Sequence, residues 1–204
     1  MADGTPLSIV AHLTSWVTRE VDRLTGDRVQ VPLLVAQACA QGLKQLGIDA
    51  QVMYGASAWI EILEDHRAVW AGCWGENCHF WVATKWGEVV DLNASVAHRK
   101  RVEGFRALYA PPMLWSEEVP AFYRFIPEGI AEMGSLQSRD QRLYDQVLRS
   151  IQSLPAVSDR VPEALDFPNE PILCSQRRLL DDTLGTFQHF DRALSVQGIP
   201  KAPI

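Results

Sequence analysis

The chain has few basic residues, few cysteines and no long apolar run, and each shortage closes off a class of function. Nineteen Lys and Arg stand against 25 Asp and Glu, a formal net charge of −6. Phosphate backbones are bound through a basic footprint, and none is visible, so no nucleic-acid partner is expected. No apolar stretch reaches the roughly 20 residues of a membrane-spanning helix, and no membrane partner is expected either. The residues up to Leu13 lack the basic segment and apolar run of a secretory signal. Four cysteines, at 39, 73, 78 and 174, are too irregularly spaced to frame a chain of 204 residues with disulfides. Reduced thiols and a cytoplasmic location follow as the expectation. Repeats and low-complexity tracts are also missing. What remains, 47% hydrophobic and 22% charged, is the composition of a folded globular chain.

Three stretches are distinguishable. From Thr5 to Leu46 the pattern is helical. Ile9, Val10, Leu13, Trp16, Val17, Val21 and Leu24 recur at three- and four-residue steps, and Gly26-Asp27 closes the helix. Pro32 suits the first turn of a second helix, where its missing N–H is no loss. Leu34, Val35, Ala38, Cys39, Leu43 and Leu46 form the apolar stripe of that helix, with Gln37, Gln41, Lys44 and Gln45 largely outside it, and Gly47 ends it. From Ile48 to about Val96 the chain alternates as strands do, over Gln51–Ile62, Val69–Trp74, Cys78–Thr84 and Glu88–Leu92. Lys85-Trp86-Gly87 is a hairpin turn between the last two. Five of the seven tryptophans fall between Trp59 and Trp86, which places an aromatic core or a substrate wall here. Beyond Val102 prolines punctuate the chain. Helices are expected over Ser138–Ser153 and Ser175–Ser195, with a wrapping loop over Ala156–Leu173.

The chemistry is concentrated in the strand region. His79 opens one strand and Asp91 closes the next, so a hairpin around Lys85-Trp86-Gly87 brings them to the same end of the sheet. An aspartate beside an imidazole fixes its tautomer and steadies the imidazolium. Whether the two side chains share a face depends on register, and a surface hairpin whose His and Asp share nothing is the alternative.

A helix ending in Gly47-Ile48, the strand from Gln51 to Gly55, Trp59, His79-Phe80-Trp81-Val82 and Val90-Asp91-Leu92-Asn93 together resemble the transglutaminase-like branch of the papain-like cysteine enzymes. The resemblance spans about Pro32 to Ser95. It implies an α+β fold, with N-terminal helices packed on a small antiparallel sheet over residues 1–110 and a helical, Pro-punctuated extension over 111–204. It also implies thiolate attack on an amide-, ester- or thioester-linked acyl group, hydrolysed or transferred, with a peptide, protein or acyl substrate and no cofactor. His79 would be the base and Asp91 its orienting partner.

In that family the nucleophile begins the helix, but Val31–Leu34 contains no Cys, Ser or Thr. The helix carries one cysteine, Cys39, eight residues before Gly47. Cys39 is therefore the nucleophile the resemblance implies. Its place on the apolar stripe equally suits a core cysteine. Gln30 could donate to an oxyanion or be merely solvated. Trp59 and Trp81 could wall an acyl groove or pack the core. Cys73, Cys78 and His79 superficially suggest zinc, without a second pair to complete a site, so no metal is expected. Cys78 precedes His79 directly and would point to the opposite face of a strand. His98-Arg99-Lys100-Arg101 reads as a solvated cluster.

Two readings follow: a Cys39–His79–Asp91 enzyme, or a catalytically degenerate relative acting as a binding or assembly module. A third is a structural subunit whose C-terminal helices, especially Ser175–Ser195, dock a protein partner through their Leu and Phe face. The position of each sulfur relative to the His79 ring separates the first two.

Overall fold

The computed structural model describes residues 4–74, 78–100, 107–109, 111–132, 138–154, 156–157, 166–167 and 170–174. The first helix, α1 (Leu7–Thr25), buries Val10, Leu13, Trp16, Val17 and Val21, the stripe read from its spacing. The second, α2 (Pro32–Gln45), starts with proline in its first turn, where no intrahelical N–H is needed. Its sequence is apolar on nearly every side because α2 lies between the sheet on one face and α1 and the later helix α4 (Ser138–Gln152) on the other. Gln37, expected outside the stripe, is instead fully buried, since α4 covers a face that a two-helix reading leaves open. Helix α4 packs through Val147, Ile151 and Tyr144, and Ser150 Oγ donates to Glu20 on α1 at 2.6 Å. Each of the two aliphatic side chains contributes roughly 1.5–3 kcal/mol by leaving water.

The sheet is organised around one long strand, β1 (Ala50–Leu63). Strands β2 (Ala68–Cys73) and β3 (His79–Thr84) both run antiparallel to it, β2 against 57–62 and β3 against 50–55. Strand β7 (Tyr123–Ile130) pairs with 53–59, overlapping both, so it holds the other edge of β1. β2 and β3 therefore lie end to end along a single edge. Between them β1 uses one residue, Ala56, where the opposite side uses five, 74–78.

From β3 the sheet continues to β4 (Val89–Asp91), β6 (Met113–Ser116), β9 (Glu170–Cys174) and β8 (Asp166–Phe167), while the short β5 (Ala107–Tyr109) pairs with the far end of β1. β6 and β9 are parallel, so the sheet is mixed and larger than the small antiparallel sheet expected. The 111–204 stretch, expected to be helical, supplies β6, β7, β8 and β9 as well as α4. Part of the expected wrapping loop is strand, and Ser175–Ser195 lies outside the described residues. β6 is buried at every position and shows no alternation, and β7 carries Pro127 at a register shift, so neither has the period-two signature of a half-exposed strand.

The expected β3–β4 hairpin is present. Gly87 takes φ 78° and Val82 pairs with Val90. Its turn is held by Glu88, which is fully buried and accepts from the Thr5 amide (3.1 Å), Thr5 Oγ1 (2.6 Å) and Thr84 Oγ1 (2.6 Å). Across the long strand, Gly55 lies so close to β7 that a Cβ there would overlap the Ile126 carbonyl oxygen and approach the Glu128 amide at 2.8 Å. Replacing Gly55 by Ala is expected to lower stability by about 1–3 kcal/mol, because backbone rather than a flexible side chain stands in the way. Urea denaturation midpoints at constant m-value check this.

Candidate active site

Strand parity decides which side chains can meet. Phe80 and Val82 on β3 and Val90 on β4 pack against the core that α2 completes. His79, Trp81 and Asp91, at the intervening positions, turn to the other face, where Trp59, Leu114, Phe122 and Tyr123 form a second apolar cluster. The expected His–Asp pair is formed there. His79 Nε2 and Asp91 Oδ2 are 2.7 Å apart, with the two residues 4% and 2% exposed. An ionised carboxylate only accepts, so Nε2 carries the hydrogen and donates it. The other oxygen, Oδ1, accepts from the amides of Asn93 (2.9 Å) and Ala94 (3.1 Å), which fixes the carboxylate without relying on the histidine. Asn93 is tied in turn to the Arg28 carbonyl (3.3 Å), and buried Arg28 pairs with Asp22 on α1.

The imidazole is boxed by aromatic rings. Trp59 lies 6.0 Å away and tilted, and Trp81 lies 6.5 Å away and nearly stacked. Both indoles are buried, so they wall the histidine rather than an open groove. The Trp59 indole is itself oriented, donating to Glu61 Oε1 at 2.9 Å. Gln30 is exposed in a short 3-10 turn (Arg28–Gln30), and nothing in its position brings it to His79.

Cys39 does not join them, and this corrects the nucleophile implied by the family resemblance. It is 1% exposed, in a tight recess that it shares with Pro32, Val35, Phe80 and Val82 and that Asp91 and Asn93 also border. Burial, and then the charge of Glu88, push its thiol far above the ordinary range. A sulfur in that position is a core atom. Cys174 is also buried, in the same core, and Cys78 is exposed.

The sulfur that meets His79 belongs to Cys73. Its cross-strand partner is Ser57 and that of His79 is Gly55, so the two are same-face neighbours along one edge of β1 although five residues separate them in sequence. The thiol is within hydrogen-bonding reach of the imidazole. With Nε2 committed to Asp91, Nδ1 is the nitrogen left to face it. Burial alone would lower the His79 pKa, but the Asp91 charge and hydrogen bond, joined by the Cys73 sulfur, outweigh it and raise the value to about 9. Cys73 is half-buried, whereas His79 is buried. Among the described residues no group of His, Cys, Asp and Glu forms a metal cluster.

The 3-10 turn His98–Lys100 follows the short helix α3 (Ala94–Ala97), and Arg99 there lies 3.6 Å from Asp27. That part of the basic cluster is therefore a surface ion pair away from the site. No helix among the described residues is long and apolar enough to cross a membrane.

No protein-family model and no curated protein matches the chain. A crystal structure known as genomics APC5867 is similar at 13% identity and a TM-score of 0.47, over 76% of this chain and 82% of that one.

The raised His79 pKa makes a signed prediction about stability. Relative to an unfolded value near 6.5, a folded value near 9 stabilises the protein fully below pH 6.5 and loses that contribution as pH rises through 9. Urea unfolding is expected to show a fall on the order of a few kcal/mol between pH 6 and pH 9.5. Asp91→Asn removes the charge that holds the imidazolium and should flatten that part of the curve. A wild-type profile that is level or rises across the window contradicts the buried ion pair.

Proposed function

We propose that the chain is a cysteine-dependent hydrolase or acyltransferase acting on an amide-, ester- or thioester-linked acyl group, with Cys73 as nucleophile, His79 as base and Asp91 as its orienting partner. One observation carries this reading: a buried imidazole is held by an aspartate at Nε2, and the half-buried Cys73 sulfur lies close enough to the ring to raise its pKa. Asp91 keeps His79 as an imidazolium, and this charge stabilises the thiolate left when the Cys73 thiol gives up its proton to water. The thiolate attacks the acyl carbon, and the imidazolium gives its proton to the departing amine, alcohol or thiol. Water or a second nucleophile then releases the acyl group from sulfur, with His79 taking the proton. The substrate class is a peptide, protein or small acyl compound.

The reading keeps the chemistry of the transglutaminase-like resemblance and moves its nucleophile. In the family arrangement the sulfur leads a helix, but here the first turn of α2 carries none, and the end of a strand would supply the thiol. The alternative, a transglutaminase-like relative serving as a binding module, draws on the first turn of α2, where Pro32, Leu33, Leu34 and Val35 offer no nucleophile.

Thiol labelling separates the two. With iodoacetamide at pH 6, Cys73 should be alkylated faster than the more exposed Cys78, while Cys39 and Cys174 stay unlabelled until the protein unfolds. His79→Ala should slow Cys73 by about 100-fold or more, the usual scale of losing a positioned base. Peptide mapping by mass spectrometry gives the four rates in one experiment. Equal rates at Cys73 and Cys78, indifferent to His79→Ala, would leave the binding module as the better account.

A further inference from the structure

Ser57 is the cross-strand partner of Cys73 on β1 and of Phe125 on β7. Phe125 packs on Trp81 at 5.2 Å, and Trp59, two residues along β1, packs on His79. Ser57 therefore belongs to the face that carries the site, directly beside the sulfur. It is 1% exposed, and its Oγ is buried with no hydrogen-bond partner. Burying a hydroxyl without a partner costs about 1–3 kcal/mol on protein scales. Thr14 Oγ1 is also buried without a partner, but it lies in α1, off the sheet that carries Cys73, and other buried hydroxyls are paired. Thr18 donates to the Thr14 carbonyl at 2.7 Å, and Thr84 donates to Glu88. An unused donor beside a nucleophile fits a partner that exists only while substrate is bound. Directly opposed residues on one sheet face have Cβ atoms about 4.5–5.5 Å apart. That spacing is comparable with the span from a sulfur through a bound acyl oxygen to a hydrogen-bonding hydroxyl.

We propose that Ser57 Oγ donates a hydrogen bond to the acyl oxygen as Cys73 attacks, making it a catalytic residue for acyl transfer. The proposal rests on the Cys73 reading and extends it. The balanced step with p-nitrophenyl acetate runs as follows. The Cys73 thiolate forms a C–S bond to the acetyl carbon, and the carbonyl π pair moves onto oxygen, where Ser57 receives the charge. Collapse of that oxyanion re-forms C=O, breaks the C–O bond and expels p-nitrophenolate, leaving a thioester on Cys73. Alkylation by iodoacetamide uses the same thiolate and expels iodide, but it builds no oxyanion.

The contrast between the two reagents is the test. Ser57→Ala should slow the p-nitrophenolate burst by about 100-fold, the range seen on losing one oxyanion donor, while the iodoacetamide rate at Cys73 stays within about twofold of wild type. An unchanged burst overturns the role of Ser57 and leaves the Cys73 reading intact. Burst and alkylation falling together also overturn it, since a packing defect would act on both. A wild-type Cys73 that reacts no faster than Cys78 removes the Cys73 reading itself, and this one with it.

Discussion

An imidazole that is 4% exposed can carry a charge only if something replaces the water it has lost, and here that is a single carboxylate. Asp91 can serve because its own surroundings are settled first. Two backbone amides hold Oδ1, the loop that carries them is tied to Arg28, and Arg28 is anchored to α1 through Asp22. Removing the carboxylate would leave desolvation unopposed and return the ring to its neutral form. The orientation of the ring follows from that one hydrogen bond.

On the proposed reading, a sheet alone would build the site, without a helix to present the nucleophile. β2 and β3 share one edge of β1, and the excursion over 74–78 lets two residues that are distant in sequence count as near neighbours on one face. The sulfur lies where the ladder is interrupted. Interruptions of regular pairing are where strands re-aim side chains, and the pairing on both sides of this one keeps it rigid.

Much of this was legible before any coordinates. Helices α1 and α2 show their stripes at helical spacing, Gly87 marks the hairpin, and the six-and-four spacing around it brings His79 to Asp91. The partner sulfur was not legible for a definite reason. Cys73 and His79 are six positions apart, and on an uninterrupted strand that spacing gives no contact. Only the register of two separate strands on β1 reveals that the two residues sit opposite Ser57 and Gly55, two positions apart. Cys39 drew attention because it sits on a helix, but a helix position says nothing about which face of the sheet the histidine chooses. Gln37 was misplaced for a related reason, since a polar residue reads as solvent-facing until a third helix covers it. Ser57 could be found only once its lack of a partner was seen, because a serine within a strand carries no signal of its own.

The contact between Thr5 and Glu88 has a consequence for the whole arrangement. It joins the segment ahead of α1 to a hairpin 83 positions later, and together with Thr84 it leaves the Glu88 carboxylate no freedom to turn. β4 has only three residues, held by β3 on one edge and β6 on the other, and a slip of one position would carry Asp91 to the wrong side of the sheet. The leading segment thus acts as a latch on the aspartate. Trimming or fusing the polypeptide close to Thr5 would disturb proton transfer from a distance, with every residue around the sulfur still in place.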